Sequence, residues 1–292
     1  MIDYRIKTFL AVCQLKSYTA AAEALHISQP AVSGHIKYLE NIYNVQLFSL
    51  SGKTPTLTKA GDSLRHRAET VLGDEKLFRS SLLNTDNASL SFTLGVTETI
   101  GSFAIAKPLS AFLKSQEAFH IDLVVANTTS LLSKMEHGAI DFAILEGSFN
   151  SQNVSSITLR TEPFIAVASK AHRFKSPSTT LFDMTKEPLL IREQGSGTRR
   201  ILEESLSLHG LSPERFASVT TVGSMTALRD MVLYDAGISF FYKVAASPYL
   251  ERGLLKAIPL EDFSISHPFT GVWPKGSAYS AIYRDLLMKL MK

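Results

Sequence analysis

The stretch Ser28-Gln29-Pro30-Ala31-Val32-Ser33, continued by residues 34–40, has the composition of a helix that begins at its first serine. Serine is a preferred N-cap, and proline is tolerated in the first turn because its missing N–H would have no intrahelical partner there. Val32, Ile36 and Leu39 recur at helical spacing and predict a stripe that faces a core. The opposite face carries small or polar residues suited to approach bases and phosphates: Pro30, Ser33, Gly34, Lys37 and Tyr38. The stretch therefore predicts a helix that lies in a DNA groove.

The flanking segments complete a helix-turn-helix pattern. Residues 6–13 contain an apolar helical stripe, and an alanine-rich helix over residues 20–26, capped by Thr19, follows a polar break. Two helices joined by a tight turn, of which the second reads bases, form the helix-turn-helix arrangement. Residues 45–48 and 56–58 predict two short strands, a wing that would lie along the phosphate backbone. For this segment taken alone, a three-helix bundle without a DNA-binding role is the alternative.

The whole-chain composition is that of an ordinary globular protein, and 292 residues leave room for two or three domains. The single cysteine, Cys13, excludes an internal disulfide framework. No apolar run is long enough to cross a membrane, and no signal peptide is visible, so we expect a cytoplasmic protein without a membrane partner. The formal net charge is only +3. DNA affinity would therefore come from well-placed contacts or from a dimer.

A long helix is predicted from about residue 59 to residue 83, with Thr58 as its cap. Positions along it alternate in steps of four and three with one glutamate among them: Leu64, Ala68, Val71, Glu75, Phe78 and Leu82. Such a heptad seam on a single helix is typical of pairing with a second copy, although packing on its own domain is the alternative. The polar residues 84–89 predict a hinge.

From residue 90 onward, strand and helix patterns alternate, which predicts an α/β fold with a parallel sheet and helical crossovers. The unit recurs in a second half, and the last strand and helix would return to the first. We therefore expect two lobes with a cleft between them. Lobe I would comprise about residues 90–163 with 267–292, and lobe II about residues 164–266.

The segment Arg192–Arg200, with the sequence Arg-Glu-Gln-Gly-Ser-Gly-Thr-Arg-Arg, follows an apolar strand and opens a helix. A helix N-terminus favours anions, because its unpaired N–H groups and the helix dipole both attract negative charge. The residues expected to bind an anion there are Arg192, Ser196, Gly197, Thr198 and Arg199. A solvated loop is the alternative interpretation.

Two more segments would converge on this cleft, because ligands bind beyond the carboxyl ends of strands in open α/β sheets. The candidate effector-binding residues in them are Thr97, Thr99, Ile100, Asn127, Thr128 and Thr129. Ordinary helix capping explains the threonines and asparagine equally well. Glu146, which ends another strand, would form a polar wall or a gate. Its carboxylate would repel an anion unless it were protonated or paired with an arginine.

Motifs typical of enzymes are missing from the sequence. Residues 195–198 lack the spacing of a nucleotide-binding phosphate loop, and no strand is followed by a dinucleotide-binding fingerprint. The histidines have no metal-ligand spacing beside carboxylates or cysteines. We therefore expect neither catalysis nor a metal or other cofactor. A solute-binding or carrier protein with an N-terminal dimerisation module is the second hypothesis, and a two-lobed metabolic enzyme is the third.

Several stretches together resemble the LysR-type transcriptional regulators along the full length of the chain. They are Tyr-Thr-Ala-Ala-Ala-Glu-Ala-Leu-His at 18–26, the 28–33 stretch, Leu-Thr-Lys-Ala-Gly at 57–61, Thr-Ile-Gly at 99–101, Gly-Ala-Ile-Asp-Phe-Ala-Ile at 138–144 and Asp-Ala-Gly-Ile-Ser at 235–239. The resemblance implies three domains: a winged helix-turn-helix over 1–58, a dimerising linker helix and hinge over 59–89, and a periplasmic-binding-protein-like effector domain over 90–292.

The same resemblance implies a set of partners. It implies a dimer or tetramer that binds double-stranded promoter DNA, works with RNA polymerase and responds to a small effector. The Gly-Ser-Gly-Thr-Arg run at 195–199 resembles the branch that regulates carbon-fixation and sulfur-assimilation operons. That branch favours a small oxyanion or a phosphorylated metabolite as the effector.

Two departures from the family pattern concern the DNA-facing side. Gly34 stands where family members usually have a basic residue, and Thr54-Pro55 stand where arginines are common in the wing. Glycine makes no side-chain contact and costs roughly 0.5–1 kcal/mol of helix stability relative to alanine. The residues expected to contact DNA are Ser28, Gln29, Pro30, Ser33, His35 and Lys37, with Lys53 in the wing as a phosphate contact.

Overall fold

The computed structural model describes residues 3–51, 54–83, 90–115, 119–175 and 179–291. Three helices and a hairpin form its N-terminal unit: α1 (Tyr4–Leu15), α2 (Tyr18–Leu25), α3 (Gln29–Tyr43), β1 (Phe48–Ser51) and β2 (Thr54–Leu57). The side chains of Asp3, Ser17 and Ser28 cap the three helices by accepting backbone N–H groups. Helix α2 thus begins at Tyr18 with Ser17 as its cap, and the expectation that Thr19 caps it is wrong.

The recognition-helix pattern is confirmed in its packing. Val32, Ile36 and Leu39 are buried in a cluster with Phe9 and Phe48. The wing begins later than expected, because the backbone N–H groups of residues 47 and 48 donate to the Glu40 carboxylate at 2.8 and 3.4 Å. That carboxylate ties the end of α3 to the wing, so residues 45–47 connect the two instead of pairing as a strand.

The long helix α4 spans Lys59–Leu83, as its pattern predicts. The Thr58 hydroxyl accepts the Gly61 N–H at 3.0 Å and caps it. The predicted heptad seam of α4 is partly buried and partly exposed. Ala68 is buried within the chain, whereas Phe78 and Leu82 are 54 and 56 % exposed. The first half of the helix therefore packs on its own chain, and the second half presents apolar side chains to solvent.

The rest of the described chain alternates strands and helices. The elements are β3 (Leu90–Val96), α5 (Glu98–Phe103), α6 (Ala106–Ser115), β4 (Phe119–Val125), α7 (Thr128–Glu136), β5 (Phe142–Glu146), β6 (Val154–Ser169), α8 (Leu181–Met184), β7 (Pro188–Arg192), α9 (Gly197–Leu208), a 3₁₀ turn (Pro213–Arg215), β8 (Ser218–Val222), α10 (Met225–Leu233), β9 (Ser239–Tyr242), α11 (Lys243–Glu251), β10 (Leu255–Ile258), β11 (Ile265–Pro274) and α12 (Ser280–Leu290). We call the part built on β3–β5 lobe I and the part built on β7–β10 lobe II.

Two long antiparallel strands, β6 and β11, run through both lobes. They lie at the centre of a seven-stranded sheet of order β10-β6-β11-β5-β3-β4, to which β9 adds on β6. Strands β3, β4 and β5 are parallel, as are β7 and β8 in a separate pair. The chain returns to lobe I through β11 and α12, since β11 pairs with β5.

Several elements differ from the sequence expectations. Strand β6 is 16 residues long, and only its apolar second half, residues 164–168, was predicted. The helix expected over residues 100–113 is two helices, α5 and α6, with a break at residues 104–105. Helix α11 and strand β10 were not predicted. In the described part of the chain, no helix is both long and apolar enough to span a membrane.

Two glycines on α4 test the packing of this helix against the segment that leads into the wing. A Cβ on Gly61 would lie 2.1 Å from the Leu47 carbonyl oxygen, whereas a Cβ on Gly73 would meet no atom within 4 Å. We expect Gly61→Ala to lower the free energy of unfolding by about 1–3 kcal/mol through this overlap. Gly73→Ala should raise it by about 0.5–1 kcal/mol, because alanine favours a helix interior. Denaturant unfolding of both variants checks this; equal effects would contradict it.

Candidate functional site

The exposed side of α3 carries the expected DNA-facing residues. The Gln29 amide donates to the Ser33 hydroxyl at 3.0 Å, and Lys37 is exposed beside them. These three residues line a groove between α3 and the start of the wing, where Gln46 and Ser49 form the other wall. Ser28 and Pro30 are exposed at the amino end of the helix, where the Ser28 hydroxyl accepts the N–H of residue 31. Lys53 lies outside the described residues.

His35 and Gly34 occupy different surroundings from those of their neighbours. The Nδ1 atom of His35 lies 2.9 Å from the Thr8 hydroxyl, and its ring packs edge-on against Tyr4 at 5.0 Å between centroids. His35 therefore joins α3 to α1, and its contact with DNA stays a prediction. A Cβ on Gly34 would meet no atom within 4 Å. Packing within this chain thus does not require glycine at that position.

A second candidate site lies where the two lobes meet, at the carboxyl ends of β3, β4, β5 and β7. Glu146, the last residue of β5, is buried there. Its Oε1 accepts the hydroxyl of Thr99 from lobe I at 3.0 Å and the hydroxyl of Thr198 from lobe II at 2.8 Å. One carboxylate oxygen therefore connects both lobes.

The lobes also touch through their backbones. A Cβ on Gly197 would lie 2.1 Å from the Glu146 carbonyl oxygen, and a Cβ on Gly147, at φ +78°, would lie 2.7 Å from the Gly197 carbonyl oxygen. Beside this contact, the Thr129 N–H donates to the Gly195 carbonyl at 3.3 Å. Glycine is required here because any side chain would separate the lobes.

Polar side chains extend the contact between the lobes. The Asn127 amide donates to the Glu193 carboxylate at 3.2 Å. The hydroxyl of Thr129 donates to the Gly195 carbonyl of lobe II at 3.4 Å. Within lobe I, the hydroxyl of Thr128 donates to the Glu146 carbonyl at 3.4 Å. The capping interpretation also holds for part of this set, because Asn127 caps α7 and Ser196 caps α9.

The two arginines of the glycine-rich segment have different roles. Arg192 is 2 % exposed, and its Nε and Nη2 donate to the Glu193 carboxylate at 2.8 and 3.1 Å. Arg199 donates to Glu203 at 2.7 Å and to the Arg192 carbonyl at 3.1 Å, so it braces the segment. The Ile100 side chain is fully buried in the apolar core, and its contact with an effector stays a prediction.

Four buried polar atoms at this site have no hydrogen-bond partner within the described chain. They are the Thr97 hydroxyl, Oε2 of Glu146, Nη1 of Arg192 and the Tyr242 hydroxyl. An unpaired buried polar group costs about 1–3 kcal/mol, so a molecule that pairs with these atoms gains that energy. Sequence reasoning missed Tyr242, because it ends an apolar strand whose pattern indicates only burial.

Burial also changes the acidity of the site. It raises the pKa of Glu146 to about 7, and the negative charge of Glu98 acts in the same direction. The hydrogen bonds from Thr198 and Thr99 and the positive charge of Arg192 lower this pKa, but by less than burial raises it. Burial raises the pKa of Tyr242 as well, and the Glu146 charge acts in the same direction. Within the described residues, no group of three or more His, Cys, Asp or Glu side chains is placed to hold a metal ion.

The raised pKa predicts a pH-dependent stability. Glu146 titrates near 4.5 when unfolded and at about 7 when folded. The free-energy cost of holding this carboxyl in the folded protein is therefore absent below pH 4.5 and is fully present above pH 7. We expect wild type to lose up to about 3 kcal/mol relative to Glu146→Gln between pH 5 and pH 8. Denaturant unfolding of both proteins across this range measures the difference. Parallel profiles would contradict a buried, titrating Glu146.

Comparison with known proteins places this geometry in a family. Residues 4–62 match the bacterial regulatory helix-turn-helix protein of the lysR family, and residues 86–290 match the LysR substrate binding domain. The HTH-type transcriptional regulator CfxR of Cupriavidus necator is 31 % identical over 237 residues, which cover 80 % of this chain and 74 % of CfxR.

Solved structures share the fold. Full-length LysG from Corynebacterium glutamicum with bound effector Arg has a TM-score of 0.70 at 19 % identity, over 100 % of this chain and 98 % of LysG. The regulatory domain of Synechocystis CcmR in complex with 2-PG has a TM-score of 0.60 at 20 % identity, over 69 % of this chain and 97 % of that domain. From its two matching domains and its relatives, the chain belongs to the LysR family of DNA-binding, effector-responsive transcriptional regulators and is not an enzyme.

Proposed function

We propose that this regulator is cytoplasmic and that a small acidic effector, bound between lobes I and II, controls its binding to promoter DNA. The four unpartnered buried atoms at the lobe contact carry this proposal. Among them, Nη1 of Arg192 is a charged donor, and an acid group is the strongest partner for a guanidinium N–H. The CcmR regulatory domain in complex with 2-PG and LysG with bound effector Arg support a small-molecule effector in this fold.

The effector acts by changing the balance between open and closed lobes. A ligand shifts such a balance only by binding one state better than the other. In the closed arrangement, Thr97, Glu146, Arg192 and Tyr242 bury polar atoms without partners. A ligand that pairs with these atoms removes the cost only when the lobes are closed. It therefore binds the closed state better and stabilises it.

Contacts between α4 and lobe I carry the change to the DNA-binding unit. The Asp74 carboxylate accepts the Ser277 hydroxyl at 2.6 Å and the Ala278 N–H at 2.8 Å. Arg67 donates to the Gly276 carbonyl at 2.8 Å. Gly276, Ser277 and Ala278 lie in the loop that follows β11, a strand that runs through both lobes. Motion of β11 on closure thus moves α4 and the recognition helix at its far end.

The same proposal includes the assembly and its partners. The exposed apolar side chains in the second half of α4, which include Phe78 and Leu82, support pairing of two chains through residues 59–83. Two such dimers would form a tetramer whose α3 helices contact separate half-sites. Control of transcription would then include contact with RNA polymerase at the promoter.

A reversible disulfide across the lobes tests this proposal. The Ser148 hydroxyl of lobe I donates to the Glu204 carboxylate of lobe II at 3.0 Å. We replace both residues by cysteine in a Cys13→Ser background and isolate operator fragments from sheared host DNA at about 50–200 mM salt. We expect oxidation alone to change the length of DNA protected from nuclease, and reduction to restore it, because the disulfide replaces the effector in closing the lobes.

Two single-cysteine variants, Ser148→Cys and Glu204→Cys, are the controls and should not respond to oxidation. An unchanged footprint in the oxidised double variant would contradict coupling between the cleft and DNA. Recovery of only random fragments, lost as salt increases, would contradict sequence-specific binding by α3.

A further inference from the structure

We infer that the effector carries a hydrogen-bond donor, a hydroxyl or an ammonium group, beside its acid group, and that Glu146 selects for this donor. The inference rests on the proposed function and narrows its ligand class. It follows from which atoms of the site are already paired and which are not.

The two oxygens of Glu146 have different surroundings. Oε1 accepts the hydroxyls of Thr99 and Thr198, one from each lobe. Oε2 is buried and has no partner in the described chain. An ionised carboxylate can only accept hydrogen bonds, so the group that completes Oε2 has to be a donor. A ligand whose polar groups are all acceptors leaves this oxygen unpaired.

The charges around the site point to the same ligand. Arg192 is already paired with Glu193 through Nε and Nη2, and only its Nη1 is free for a ligand. Arg192, Glu193 and Glu146 together carry one positive and two negative charges when Glu146 is ionised. A simple anion bound to Arg192 would therefore be repelled by the Glu146 carboxylate. A donor on the ligand offsets that repulsion by bonding to Oε2.

The other two unpartnered atoms do not discriminate between ligands. The hydroxyls of Thr97 and Tyr242 can each donate or accept. They can therefore pair with an acid oxygen, a hydroxyl or an ammonium group. Selection between donor-bearing and donor-lacking acids rests on Glu146 alone.

Acids that share a skeleton provide the test. L-lactate, L-alanine, propionate and pyruvate have three carbons and one carboxylate. At the second carbon, L-lactate carries a hydroxyl, L-alanine an ammonium group, propionate no polar group and pyruvate a keto oxygen. L-malate, L-aspartate, succinate and oxaloacetate repeat the comparison with four carbons. Isothermal titration of the full-length protein at pH 8, without DNA, gives the Kd of each acid.

In wild type, we expect the tightest acid of at least one series to bear a donor and to bind about tenfold more tightly than the donor-lacking acids of the same length. The hydroxyl and ammonium acids identify which donor the site takes. Glu146→Gln presents an amide N–H where Oε2 was, if its carbonyl keeps the two threonine hydroxyls. This variant should lose the preference and favour the keto acid of that series.

Glu204→Gln is the matched control, because Glu204 is an exposed carboxylate bonded to Ser148 at the rim of the same contact. It should keep the wild-type preference. Equal or tighter binding of the donor-lacking acids by wild type, as would follow from a protonated Glu146 that donates to them, overturns the inference. An unchanged preference in Glu146→Gln also overturns the inference, and so does the absence of binding by any of the eight acids.

Failure of this inference is distinct from failure of the proposed function. The titrations measure ligand choice without DNA, whereas the disulfide experiment measures DNA protection without a ligand. A protein that selects donor-bearing acids but keeps one footprint in both redox states contradicts the proposed coupling and leaves the ligand class intact.

Discussion

The pairing of one carboxylate oxygen with two threonine hydroxyls is the interaction on which the arrangement of the lobes depends. Thr99 and Thr198 approach Glu146 Oε1 from opposite lobes, at 3.0 and 2.8 Å. Gly147 and Gly197 allow the backbones to approach closely enough for this pairing. Because the carboxylate is buried, its second oxygen, Oε2, costs free energy until a donor reaches it. In the proposed mechanism, closure of the lobes and ligand binding therefore depend on the same side chain.

The DNA-binding unit and the interlobe site are joined by one helix with two kinds of contact. Close to its start, Gly61 packs against the wing, and farther along, Asp74 bonds to the loop before α12. A helix transmits a displacement at one end to the other because its backbone hydrogen bonds make it stiff over its length. The chain thus connects the strands that cross between the lobes to the helix that faces DNA.

Much of the architecture was predictable from local patterns. Helix α3 with its Ser28 cap, strand β8 and helix α10 have the predicted bounds or nearly so, because their periodicity is strong and their caps are clear. The first half of β6 was not predictable from local patterns, since its residues are mostly polar and half-exposed. Its partner strand β11 also lies about a hundred residues away in the sequence.

The site was predictable as a set of segments but not as a set of contacts. The threonines and Glu146 were found because they end strands or begin helices. The core cluster around Ile100 and the bond from His35 to α1 were not predictable, since a position on a helix does not show which face meets a neighbouring element. Tyr242 was missed for a related reason: local sequence indicates that an aromatic side chain is buried, not that its hydroxyl lacks a partner.

The central claim is that unpaired polar groups at the lobe contact oppose closure until a ligand pairs with them. Its most direct test is the interlobe distance, measured by electron spin resonance between nitroxides on Ser110→Cys and Ser207→Cys in a Cys13→Ser background. Thr97→Val with Tyr242→Phe removes two of the unpaired groups and keeps their shapes. The account predicts that these two substitutions shift the distances toward the closed arrangement without any effector. An unchanged distance distribution would contradict it.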